Sequence, residues 1–327
     1  MLGTLSGCSS ERLEVLSRGF AGFLQRNGDG LVLDGKPYRS LGFAAYTLTG
    51  CGSEVPNDAE LDSFFASLRP RSLVRTYAFE PLGLDGVDRV VRVAKAHGHL
   101  LTLVLTDHDS SCGEGEVSKT AGFYDSGFRD AFLPWVDTVV ARYANEPAVG
   151  FWEIAKAPTD IDAATLRTFF DVVGGEIHHL DAHHLVEPGI HGPWAYGGDD
   201  GYERIIASAG LDAASFIDYD AASDEIVNLE SSLRVAQKVG KPLLLVEMSI
   251  YAGQTANPSD VMGGAPCVSW DSRRAKIEKK LTSAFQQPLA GAEVWNWVPG
   301  SPAGCGYAVP SNDPLFGLVH DFPIVMK

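Results

Sequence analysis

"GFWEIAKAPTD", residues 150–160, begins as an apolar run and stops at Pro158. Proline has no N–H and a fixed φ, so a strand ladder ends there. A near-continuous apolar run of this length fits a strand buried on both faces, as in a parallel sheet. The same signature recurs along the chain. The candidate strands are "RSLGFAAY" (39–46), "SLVRTYAF" (72–79), "LLTLVLTD" (100–107), "VGFWEIAK" (149–156), "HLVEPGIHG" (184–192), "SFIDYD" (215–220), "PLLLVEMS" (242–249) and "GAEVWNWV" (291–298).

Between these runs lie stretches with helical apolar spacing, at 59–68, 84–98, 128–147, 162–180 and 271–288. Asn57 and Asp58 stand where a cap is needed, and Gly98 stands where a helix stops. Eight strands alternating with helices predict an α/β fold of the (β/α)8 TIM-barrel type. An open doubly wound sheet would carry a glycine-rich phosphate loop after its first strand, and "GFAAYTLTGCG" is not one. "LVLDGKPYRSLG" reads as a hairpin turning at Asp34-Gly35 that closes the barrel's bottom. Residues 1–25 are expected to form an N-terminal segment, and 26–327 a single barrel domain.

The chain has 327 residues, is 45% hydrophobic and carries a formal charge of −16. Such a surface repels phosphate backbones and anionic lipid, so nucleic acid is not an expected partner and a neutral ligand suits it better. No apolar run approaches the roughly 18 residues of a membrane span. Of the five cysteines, Cys51, Cys112, Cys267 and Cys305 lie in Gly/Ser/Pro-rich segments and none forms a CxxC pair. That pattern favours disulfides and an oxidising compartment over a metal site. No metal or cofactor is implied. "LSGCSS" around Cys8 resembles a lipobox, which would make Cys8 a lipid anchor. Only "MLGTLSG" precedes it, with no basic or apolar stretch, so a chance match stands as the alternative.

In this fold the active site lies at the C-terminal ends of the strands. Those ends deliver Arg75 and Tyr77, then Asp107, His108 and Asp109, then Lys156 and Ala157, then His191 and Trp194, then Asp218, Tyr219 and Asp220, then Glu247, and last Trp295, Asn296 and Trp297. Glu247 follows four apolar residues and is a carboxylate at the mouth of a buried strand. Arg75 is its natural partner, either in a structural ion pair or in keeping a nucleophile ionised. Trp194, Trp295 and Trp297 suit stacking on sugar rings, or packing at the rim. Glu153 shares a strand face with Ala157, four residues deeper, and reads as a buried structural carboxylate.

Four segments together resemble glycoside hydrolase family 5, in the clan of (β/α)8 retaining glycosidases. They are "VLDGKPYRSLGFAAY" (32–46), "VRTYAF" (74–79), "RYANEPAVGFWEIAKAPT" (142–159) and the pair "PLLLVEMS" with "GAEVWNWVPG". The resemblance implies Glu247 as nucleophile, with Arg75, His108 and Trp295 or Trp297 matching the family's site residues; Trp194, Lys156, Asp218 and Tyr219 are further candidates for substrate binding from their places at the strand ends. The resemblance also implies Asn-Glu before the strand-four proline, the glutamate being the general acid/base. Here those positions are Lys156 and Ala157. The family's His-x-Tyr after strand six is replaced by Asp218-Tyr219-Asp220, with no clean counterpart. The "NEP" at 145–147 precedes strand four and reads as a helix-end turn.

A retaining glycosidase needs two carboxyl groups about 5–5.5 Å apart. With alanine at 157 the nucleophile stands alone, and the chain should bind its glycan but barely cleave it. One reading is a glutamate-to-alanine knockout that traps substrate; the other is a natural pseudoenzyme that only binds glycan, a reading Lys156 favours. The expected partner is an oligo- or polysaccharide, either a cell-wall galactofuranan or a β-mannan or β-glucan, cut in endo fashion by a monomer. The loop cysteines are expected to pair as Cys51–Cys112 and Cys267–Cys305, stiffening the cleft. The expected location is the bacterial exterior, as a secreted protein or cell-surface lipoprotein.

Overall fold

The computed structural model describes residues 22–52, 55–110, 112, 119–300 and 302–324. Cys8 and its lipobox-like surroundings lie outside them. Eight parallel strands follow the chain: the first is Ser40–Ala44, the second Leu73–Tyr77, the third Leu100–Val104 and the fourth Val149–Glu153. The fifth is Leu185–Glu187, the sixth Ala214–Asp218, the seventh Leu243–Met248 and the eighth Leu289–Trp295. Their hydrogen-bonded order runs five-four-three-two-one-eight-seven-six. Strands five and six meet where the Asp212 and Ala213 N–H groups donate to the Val186 carbonyl, at 2.8 and 3.2 Å. The Ser215 hydroxyl also accepts from the N–H groups of Gly189 and Ile190. The sheet is therefore a (β/α)8 barrel, and its strands are buried because one face fills the interior while the other packs on helices.

The barrel's bottom is plugged. Gln25–Asn27, Gly30–Leu33 and Lys36–Tyr38 form a small antiparallel sheet. Its tight turn has φ of 51° at Asp34 and 72° at Gly35, the left-handed pair that a two-residue hairpin requires. Leu24, Leu31, Leu33 and Tyr38 pack in one buried cluster with Leu73, Leu100, Leu185 and Leu244, which stand at or near the starts of barrel strands. The opposite end is left for the site.

Local sequence explains the helix boundaries. Asn57 caps Asp58–Ala66 in a reciprocal box with Glu60. Asp162 caps Ala163–Leu180, and Gly98, at φ 72°, closes Asp85–His97. The helix expected over 128–147 is instead broken. A wide turn at Phe123–Gly127 runs into Phe128–Ala131, and the chain restarts as Leu133–Tyr143. Pro134 has no N–H for the preceding turn but fits the first turn of the new helix. Three further helices, Asp199–Ile206, Leu229–Lys238 and Pro314–Asp321, follow the fifth, sixth and eighth strands, where the alternation requires a helix but no helical stretch stood out in the sequence.

Both expected disulfides form, Cys51–Cys112 and Cys267–Cys305. Cys51 and Cys267 are buried, although their segments looked like exposed loops.

Candidate active site

Glu247 ends the seventh strand and is 3% exposed. Arg75 Nη1 donates to its Oε1 at 2.7 Å, and the Tyr219 hydroxyl donates to its Oε2 at 2.8 Å. Burial alone would push the Glu247 carboxyl up. The Arg75 guanidinium, the Lys156 ammonium and the Tyr219 hydrogen bond outweigh burial and hold it below the ordinary glutamate value. Tyr219 itself stays a neutral phenol, because burial and the adjacent Glu247 push its pKa well up. An ionised carboxylate at a barrel mouth is what attack on an electrophilic carbon requires.

Arg75 is fixed from below. Its Nε and Nη2 donate to the two oxygens of Glu153, each at 2.5 Å, in a fork that only a planar guanidinium can make. Glu153 is fully buried, so its place as a structural carboxylate is as the alternation of the fourth strand suggests. Gly189 closes over it with φ 74°. A Cβ there would lie 2.4 Å from Glu153 Oε1, so only glycine fits. Two more glutamates share the interior, Glu187 and Glu293. Glu187 Oε2 accepts from the Gly189 N–H at 2.9 Å, and Glu293 has the Thr102 hydroxyl beside it but no well-formed hydrogen bond. Burial, followed for Glu187 by the neighbouring Glu153 charge, pushes both carboxyls well above the ordinary range. One guanidinium thus serves two carboxylates, Glu153 and Glu247, while burial favours the protonated form of the other two acids. The sequence reading missed Glu187 and Glu293. Their signal was a carboxylate inside an apolar strand run, the same signal that exposed Glu247.

At the end of the fourth strand, Lys156 N–H donates to the Thr106 carbonyl and Ala157 N–H to the Gly189 carbonyl. Ala157 has φ 51°, which breaks strand alternation just before Pro158. Ala157 packs inward in a cluster that Tyr219 borders, while the Lys156 ammonium lies 5.9 Å from the centre of the Trp295 ring. Both residues therefore face the barrel mouth.

A 520 Å³ cavity opens beside these groups, lined by Tyr46, Tyr77, Trp295, Asn296 and Tyr307 among others. Trp295 stacks on Tyr46 at 5.3 Å, and Tyr307 packs edge-on against Tyr219. The Trp295–Asn296 peptide bond is cis. The Cys51–Cys112 disulfide stands behind the Tyr46–Tyr77 wall.

Not every expected residue reaches the site. Trp297 is 2% exposed, stacks on Phe64 at 4.1 Å and donates to Ser311, so it belongs to the outer layer; Trp295 faces the cavity instead. Asp218 is held by Lys280 at 2.7 Å and by the Val227 N–H, which directs it away from Glu247. Tyr219, its neighbour, turns the other way and reaches Glu247. His108 Nδ1 lies 3.2 Å from the Tyr124 hydroxyl at the rim. Trp194 is 62% exposed and leans on His191, whose half-buried imidazole is lowered in pKa first by burial and stands among the charges of Glu247, Lys156 and Asp109. The Asn145–Pro147 turn lies away from the mouth, with Glu146 paired to Lys95. Among the described residues, no group of three or more His, Cys, Asp or Glu is arranged to hold a metal.

The fold and site define a (β/α)8 barrel with an ionised carboxylate at its mouth. No family model matches the chain. Mannan endo-1,4-beta-mannosidase 2 of Oryza sativa subsp. japonica is 26% identical over 230 residues, covering 58% of this chain and 51% of that protein. Mannan endo-1,4-beta-mannosidase 3 of Arabidopsis thaliana is 24% identical over an alignment of 368 residues, covering 90% and 86%. The chain spans about half the length of the first of these relatives. The solved endo-1,4-beta-mannanase of Rhizomucor miehei superposes with a TM-score of 0.71 at 18% identity, covering 91% of this chain and 97% of that one, a likeness of fold.

Proposed function

We propose that the chain is a glycan-processing barrel of the retaining glycosidase type, acting on a β-mannan, with Glu247 as its nucleophile. The observation that carries this is the clamp of Arg75 and Tyr219 on the two oxygens of Glu247. Such a carboxylate attacks the anomeric carbon and forms a glycosyl ester, while Trp295 supplies a face for the sugar. The similarity to mannan endo-1,4-beta-mannosidases supports mannan over galactofuranan or β-glucan.

The second carboxyl group is missing at Ala157. A sugar leaving group needs a proton when the ester forms, and water must lose one when the ester is hydrolysed. General acid/base help of this kind is worth about 10²–10⁴-fold. The chain should therefore bind β-mannan and cleave it slowly. A purely glycan-binding role is the second reading, favoured by the Lys156 cation beside Ala157. The two disulfides suit an oxidising exterior, and anchoring through Cys8 goes with that location.

The test is to restore the acid. Ala157→Glu should raise cleavage of β-mannan by about 10²-fold or more, with galactan and cellulose as comparison substrates. Binding of β-mannan with no gain in cleavage would leave the glycan-binding role. Release of products from galactan or cellulose alone would overturn the substrate.

A further inference from the structure

Lys156 is a half-buried cation with nothing assigned to hold it. Its ammonium rests over Trp295 and makes no hydrogen bond or ion pair with any described residue. The buried lysines elsewhere behave differently. Lys241 Nζ is bound by the carbonyls of Ile206 and Ser208, and Lys280 Nζ by Asp218 and the Glu225 carbonyl. While Glu247 is free, its carboxylate lies within reach of the Lys156 charge. Once Glu247 carries a glycosyl ester that negative charge is gone, and a cation left in a partly dry mouth favours an anionic ligand, a lysine ammonium being a point-charge partner for phosphate. Lys156 also directly precedes Ala157, and its ammonium lies against Trp295 at the wall of the cavity.

We propose that Lys156 receives a phosphate group at the anomeric centre, so that this site exchanges a glycosyl group between Glu247 and phosphate instead of water. The substrate class is a glycosyl phosphate or a glycoside whose leaving group is a phosphate ester. This rests on Glu247 being the nucleophile. The proton balance explains the fit. When hydrogen phosphate dianion attacks the glycosyl–Glu247 ester, a phosphate oxygen bonds to the anomeric carbon and the ester C–O bond breaks. The products are the Glu247 carboxylate and a glycosyl phosphate monoanion, and no proton is released. Water in the same step must shed a proton, and Ala157 cannot take it. In the reverse direction the phosphate leaves as a stable anion and needs no acid. The overall charge of −16 repels phosphate, so capture must depend on this local cation.

The experiment uses the intact chain with a 2,4-dinitrophenyl β-mannobioside, whose leaving group needs no acid, and inorganic phosphate as the probe. Stopped-flow absorbance should show a burst of dinitrophenolate equal to the protein concentration, then slow turnover. Phosphate should raise that turnover saturably, by about 10²-fold as for supplied general-base help, with a mannosyl phosphate of retained configuration seen by phosphorus NMR. Lys156→Met should show no saturable response to phosphate whatever its burst rate, and Lys156→Arg should keep one if the methionine variant does not fold. A burst followed by no greater acceleration from phosphate than from acetate overturns the inference and leaves Glu247 as the nucleophile. So does an equal phosphate response in Lys156→Met. Absence of any burst overturns the proposed function, and this inference with it.

Discussion

Arg75 Nη1 meets Glu247 Oε1 at 2.7 Å, and the same guanidinium grips Glu153 with its other two nitrogens. The site is thus built on a buried structural ion pair, and Glu247 is its upper, chemically available end. Burying these charges is tolerable only because each oxygen of Glu153 and Glu247 has a donor. It also fixes a direction of action. Glu153 is spent on orienting Arg75, so it is a positioning residue and cannot replace the carboxyl absent at 157.

Tyr219→Phe should raise the pKa of Glu247. The hydroxyl donates to the ionised carboxylate at 2.8 Å, and a hydrogen bond to a charged group is worth about 1.5–3 kcal/mol, or roughly one to two pKa units. The attacking form is the anion, so activity is lost as pH falls through this pKa. Removing a group that favours the anion moves the acid limb of the burst rate to higher pH by about one unit. A pH profile with an activated aryl glycoside checks this. An unmoved limb would mean that Tyr219 packs against Glu247 without tuning it.

The two tryptophans of the eighth-strand terminus should separate cleanly. Trp295→Ala removes a face of the cavity and should weaken β-mannan binding by roughly 10–100-fold, as expected for about 1.5–3 kcal/mol of aromatic burial. Trp297→Ala opens a hole against Phe64 in the outer layer and should cost about 3–5 kcal/mol of stability. The folded fraction of Trp297→Ala should bind mannan normally. Calorimetric titration and urea melts on both variants give the comparison, and the reverse assignment of effects would refute the placement.

What the sequence disclosed follows from how each signal is written. Eight apolar runs announce a barrel because parallel strands must be covered on both faces, and Glu247 stands out as a charge at the end of such a run. Asp34-Gly35 announces a hairpin because few residue pairs accept two positive φ angles. Tyr219 was invisible as a partner of Glu247, since the sixth and seventh strands pair only in space. Trp295 and Trp297 look alike in sequence, and only the path of the chain after the eighth strand sends one inward and the other out. Short helices such as Asp199–Ile206 span about two turns and leave too few periods to count.

Glu293→Gln should remove a penalty that grows with pH. Glu293 is buried with no well-formed hydrogen bond to its oxygens, and burial, outweighing Arg75 and the nearby Thr102 hydroxyl, raises its pKa well above the ordinary value. In the unfolded chain this glutamate ionises near pH ~4.3, whereas the folded form keeps its proton. The stability this group contributes is therefore complete below the unfolded pKa and falls as pH rises toward the folded one, by up to about 1.4 kcal/mol per pH unit. Glutamine has the same shape and no proton to lose. The variant should match the parent at acidic pH near 4 and exceed it increasingly at neutral and alkaline pH. Urea melts at several pH values measure the difference. Parallel stability curves for the two proteins would show that Glu293 ionises in the folded barrel after all.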